Sequence, residues 1–143
     1  MIDDNDDSIK KILILLNDAD PLLNRVTKTK LMKSMGWECI IAVSYEDAIK
    51  AFETNKPDLV ITEILILDYK DRTGIELVAE LRTIEKKIGK TVPIIVFSEL
   101  DDDDYRQKAL NTGATAFFSK NNISLNDFIT EIQRQLDRTA TQD

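Results

Sequence analysis

Apolar residues fall in two rhythms along this chain, and the rhythms alternate. Five short runs read as strands: Ile12 to Leu16, Trp37 to Val43, Asp58 to Ile64, Ile94 to Phe97 and Thr115 to Phe118. The third contains the unbroken, β-branched-rich stretch Leu59-Val60-Ile61, the pattern of a strand covered on both faces in a parallel sheet. Between the runs, apolar positions recur at helical spacing. Pro21 to Met35 predicts a first helix, with Asp20 as N-cap and Gly36 as its stop. Ser44 caps a second carrying Ala48, Ile49 and Phe52, and Asp47 stands where a capping box prefers Glu or Gln. Thr73 caps a third with Val78, Leu81, Ile84 and Ile88 on one face. The aspartates Asp101 to Asp104 precede a fourth, where negative charge suits the helix dipole, and Gly113 ends it. Leu125, Phe128, Ile129, Ile132 and Leu136 form the stripe of a fifth. Strict β/α alternation predicts an α/β fold, a single-domain, doubly wound, five-stranded parallel sheet.

The length of 143 residues suits one core. Residues 1–9 read as an acidic, disordered tail, 10–138 as the folded domain and 139–143 as a C-terminal tail. No apolar run approaches the ~20 residues that span a bilayer, and the acidic start lacks the order of a signal peptide. A single cysteine, Cys39, excludes an internal disulfide and points to a reducing cytoplasm. The net charge of −7 argues against a nucleic-acid footprint. With no histidine, His-based metal sites and Ser-His or Cys-His nucleophile pairs are excluded. Carboxylate, hydroxyl and lysine chemistry is left, with a hard cation as the natural companion.

Polar residues at the strand ends fit that inventory. The first strand ends in Asn17, Asp18 and Asp20, the third in Glu63, the fourth in Ser98 and Glu99, and the fifth in Ser119 and Lys120. In a doubly wound sheet these ends meet at the topological switch point. Carboxylates, a hydroxyl and an ammonium there suit Mg²⁺ and a phosphoryl group.

These stretches, with Pro57-Asp58-Leu59-Val60-Ile61, Gly74-Ile75-Glu76-Leu77, Val92-Pro93-Ile94-Ile95-Val96 and Gly113-Ala114, resemble the receiver domain of two-component response regulators from Lys10 to Leu136. The resemblance implies a flavodoxin-like fold and a role in phosphorelay signalling. It places Glu63 at the phospho-acceptor position and makes Asp18, Asp20 and Glu63 the metal ligands. Ser98 and Lys120 become the groups that contact the phosphoryl, Glu99 a pocket neighbour, and Phe117 the aromatic that swings inward on activation. It implies a protein partner, such as a histidine kinase or a downstream protein, on the face of the fourth helix, fifth strand and fifth helix. No nucleic acid and no membrane are implied, and the state is a monomer or weak dimer.

Four departures change that picture. The family acceptor is an aspartate, and Glu63 is one methylene longer, whereas in-line transfer tolerates about an ångström of misplacement. Ala19 falls where the family has a second adjacent acid, Glu99 where it has a small residue, and Asn121 where it has a proline after a cis bond. A non-proline cis bond costs roughly 2.5–4 kcal/mol, so a trans bond and a re-aimed Lys120 are expected. Four carboxylates near one ammonium would raise each other's pKa, so the pocket should bind a divalent ion or turn acids outward. The expectation is therefore a stand-alone pseudo-receiver, not an enzyme, that docks to a partner with phosphorylation absent or impaired and Mg²⁺ bound weakly or not at all. The alternative is a small Mg²⁺-dependent phosphatase resembling the haloacid dehalogenases. It would use Asp18 and Asp20 in Ile14-Leu15-Leu16-Asn17-Asp18-Ala19-Asp20, with Thr62 and Asp101 to Asp104 in support.

Overall fold

The computed structural model describes residues 9–15, 30, 33–66, 72–99 and 102–141. Its strands are β1 (Lys11–Leu15), β2 (Glu38–Ala42), β3 (Leu59–Thr62), β4 (Ile94–Ser98) and β5 (Ala116–Ser119). Among the described residues the helices are α1 (Tyr45–Asn55), α2 (Gly74–Ile88), α3 (Asp103–Thr112) and α4 (Leu125–Thr141), and residues 33–35 are also helical. The second to fifth helices read from the sequence are thus α1 to α4. Most of the first, from Pro21 on, lies outside the described residues, as do Asp18 and Asp20.

The sheet is wholly parallel, in the order β2-β1-β3-β4-β5. Connections run one way from β1 to β2 and the other way from β3 onward, so the strand order reverses at β1 and β3, where Leu15 stands beside Thr62. Alternation along each strand divides the core in two. Leu13, Leu15, Val60, Val96 and Phe117 face α1, α2 and α3, packing on Phe52, Leu77, Val78, Leu81 and Ala109. Ile12, Ile14, Leu59, Ile61 and Ile95 face α4, packing on Phe128, Ile129, Ile132 and Leu136. A strand with apolar residues on both faces has to be sandwiched between helices, which explains the unbroken run at Leu59-Val60-Ile61.

The helix ends follow local chemistry. The Ser44 hydroxyl accepts from the Asp47 N–H at 3.0 Å. Thr73 and Glu76 form a full capping box, which the sequence reading had not anticipated at Glu76. Asp102 is the N-cap of α3, so Asp103 and Asp104 lie inside its first turn instead of preceding it. β2 and β3 are two and three residues shorter than read from the sequence, β4 runs one residue further, to Ser98, and α4 runs on to Thr141 through residues read as tail.

Candidate functional site

Glu63 directly follows β3 and Lys120 directly follows β5. Parallel topology brings both to the carboxyl edge of the sheet, 57 residues apart in sequence. There the Lys120 ammonium pairs with Glu63 Oε2. Both side chains are largely buried, 8% exposed for Glu63 and 13% for Lys120. The Lys120 backbone N–H donates to the Ser98 carbonyl at 2.8 Å, and its Nζ lies 5.6 Å from the centroid of the Phe97 ring. Ser98 closes β4, almost wholly buried, in register with Ser119. Asn121 follows through a trans bond, as expected, and Lys120 pairs with Glu63.

The backbone at Glu63 is equally constrained. The Glu63 N–H extends the ladder to the Leu15 carbonyl at 3.2 Å. Thr62 Oγ1 donates to the Glu63 carbonyl at 3.0 Å, and the Gly74 N–H donates to the Ile64 carbonyl at 2.7 Å. A Cβ on Gly74 would lie 1.7 Å from the Glu63 carbonyl oxygen, so only glycine lets the start of α2 seat against this turn. The sequence signal was a glycine, a poor helix former, directly after the capping Thr73.

The other expected pocket residues are less central. Glu99 is exposed just beyond Ser98 and takes no part in the Glu63–Lys120 pair. Phe117 is buried in the α2 side of the core. The Arg106 guanidinium covers its ring at 4.7 Å and donates to its carbonyl at 3.2 Å. A second polar cluster escaped the sequence reading. Arg72 stacks on the Tyr45 ring at 3.8 Å, and the Tyr45 hydroxyl donates to Glu80 at 2.7 Å. Burial foremost, then the Glu80 carboxylate, push the phenol well above its ordinary 10.0. This cluster ties the end of the loop after β3 to α1 and α2.

The fit to Mg²⁺ follows from the donor set. A hard divalent ion wants carboxylate oxygens aimed at one point. Among the described residues no three acids converge, and the Glu63 carboxylate already faces an ammonium. The described residues alone do not fit the ion, and Asp18 and Asp20 lie outside them.

Strand order, the switch point at β1 and β3, and a carboxylate and a lysine meeting beside it at the carboxyl edge form one arrangement. The family model of the response regulator receiver domain matches residues 14–133. This chain belongs to the response regulator receiver family. Receiver domains are signalling modules that interact with histidine kinases and other proteins and generally bind Mg²⁺ at their phosphorylation site. Among curated relatives, the chain is 28% identical over 130 residues to the transcriptional regulatory protein PdtaR of Mycobacterium tuberculosis, covering 90% of this chain and 58% of that protein. It is 23% identical over 135 residues to the phosphate regulon transcriptional regulatory protein PhoB of Pseudomonas aeruginosa, covering 94% and 56%. The chain therefore spans little more than half the length of these relatives. Among solved structures, a two-component response regulator from Clostridium difficile superposes with a TM-score of 0.75 at 26% identity, covering 90% of this chain and 97% of that one. A CheY-like receiver domain from Methanospirillum hungatei shares the fold with a TM-score of 0.80 at 22% identity, covering 95% and 100%. The phosphatase alternative gains no support from these matches, and its Asp18 and Asp20 lie outside the described residues. No described helix is long and apolar enough to cross a membrane.

Proposed function

We propose that this receiver acts by docking to a protein partner in two-component signalling, with phosphorylation at Glu63 absent or impaired. The observation that carries the reading is the ion pair between Glu63 and Lys120. In this reading Glu63 stands at the acceptor position and Lys120 is the phosphoryl-binding ammonium. The added methylene brings the carboxylate to the ammonium directly, so the pair takes up the space an incoming phosphoryl group needs. Phosphoryl transfer then has to break a largely buried ion pair before it begins, and leaving one buried partner unpaired is costly. The pair also copies within one chain the contact that a phosphorylated aspartate would make with the lysine. Phe117, lying inward under Arg106, is consistent with that partial mimicry. The docking face in this reading is α3, β5 and α4, where Tyr105 and Leu110 of α3 offer exposed apolar surface. Ser98 is the hydroxyl neighbour of the pair, Glu99 supplies charge at the mouth, and Asp18 and Asp20 complete a weak Mg²⁺ site or none.

Calorimetric titration with Mg²⁺, followed by beryllium fluoride as a phosphoryl mimic, tests this. Flat heats at millimolar ligand are expected. Saturable heat that disappears in Glu63→Gln would overturn the reading.

A further inference from the structure

The opposite end of the sheet holds a cavity of about 560 Å³. It opens where α2 turns through Gly89, Lys90 and Thr91 into β4, and it is walled by Thr115 before β5 and by the last turns of α4. Its volume falls within the range of small-molecule sites. Three cations line it, Arg82, Lys90 and Arg138, each with a partner of its own, and among the described residues no acid lines it.

The wall is rich in donors. Arg82 has five N–H groups. Four are engaged: with the Gly113 carbonyl at 3.0 Å, Glu85 Oε2 at 2.7 Å, the Val92 carbonyl at 2.8 Å and Thr115 Oγ1 at 3.2 Å. One remains. Lys90 has three, of which two go to the Lys56 carbonyl at 3.0 Å and Asp58 Oδ1 at 3.1 Å. Again one remains. Thr115 Oγ1 accepts from the Ile94 N–H and from Arg82, so its own proton is left to donate. Gln135 is 5% exposed, lines the cavity and makes no side-chain hydrogen bond among the described residues. The amide keeps contact with solvent in the cavity, where a ligand can meet it. Glu85 and Asp58 pair with Arg82 and Lys90 and hold them. Little side-chain entropy is then lost when a ligand arrives.

We propose that this cavity binds a phosphoryl oxyanion, free or borne on a small organic molecule. Converging cations and several N–H and O–H donors match a dianion with three acceptor oxygens. The site is remote from Glu63 and independent of the role proposed for it.

Amide NMR titration of the full chain tests the proposal, with potassium phosphate, with adenosine monophosphate, and with potassium chloride at matched ionic strength. Saturable shifts are expected at Gly89, Thr91, Thr115 and the Gln135 side-chain amide. Gln135→Leu and the surface change Arg138→Gln should each weaken binding about tenfold. Tighter binding of the nucleotide assigns an organic carrier, and equal binding assigns the free ion. Absence of saturation, an equal response to chloride, shifts centred on Ser98 and Lys120, or full affinity in a folded Arg138→Gln variant would overturn it.

Discussion

The two ends of the sheet hold acid–base pairs of different construction. At the amino edge, Glu85 Oε2 accepts from Arg82 and from the buried Val92 N–H, both at 2.7 Å. Asp58 accepts from the Lys11 N–H at 2.8 Å and from Lys90. Arg82 in turn holds the carbonyls of Val92 and Gly113. Each charge there satisfies backbone groups from separate segments, so these pairs act as clamps. At the carboxyl edge, the carboxylate of Glu63 meets the ammonium of Lys120, and among the described residues no backbone group depends on that carboxylate. A pair that closes no backbone bonds contributes little that apolar residues could not replace. The comparison separates charge used to hold the fold from charge held at a site.

Replacing both partners at each end probes that difference most strongly. Arg82→Met with Glu85→Leu orphans the Val92 N–H and two carbonyls, and should cost about 4 kcal/mol in urea unfolding, since each buried unsatisfied group costs about 1–3. Glu63→Leu with Lys120→Met should stay within about 1 kcal/mol of the parent. Equal losses at both ends would erase the distinction. Gly74→Ala comes next, because its Cβ would overlap the Glu63 carbonyl; about 3 kcal/mol of lost stability is expected in the same assay. Near-neutral behaviour would mean that the turn at Glu63 yields easily. Smallest is Tyr45→Phe, about 1 kcal/mol near neutral pH from the lost hydrogen bond to Glu80. The folded phenol keeps its proton above the pH where the unfolded one, near 10.0, loses it. Unfolding is thus favoured as pH rises past that value, and stability falls. Tyr45→Phe should flatten that alkaline decline, read by unfolding between pH 9 and 11, about one unit either side of an ordinary tyrosine pKa.

Much of this was legible in the sequence. Alternating apolar runs, the Ser44 and Thr73 caps and the Phe128–Ile132–Leu136 stripe are local signals, and local signals survive folding. The meeting of Glu63 and Lys120 was also legible, because parallel topology sends every strand end to one edge. The clamps were not. Glu85 occupies an ordinary position near the end of a helix, and nothing local shows that the Val92 N–H arrives beside it. Arg106 over Phe117, Arg72 on Tyr45 and the tight seat of Gly74 against Glu63 likewise depend on distances set only by packing.

We propose that Glu63, held by Lys120, does not accept a phosphoryl group. Intact-mass analysis after incubation with acetyl phosphate and Mg²⁺ tests it directly, with Glu63→Asp treated in parallel. No adduct is expected on the parent chain. A stoichiometric, hydroxylamine-labile phosphoryl adduct mapped to Glu63 would contradict it.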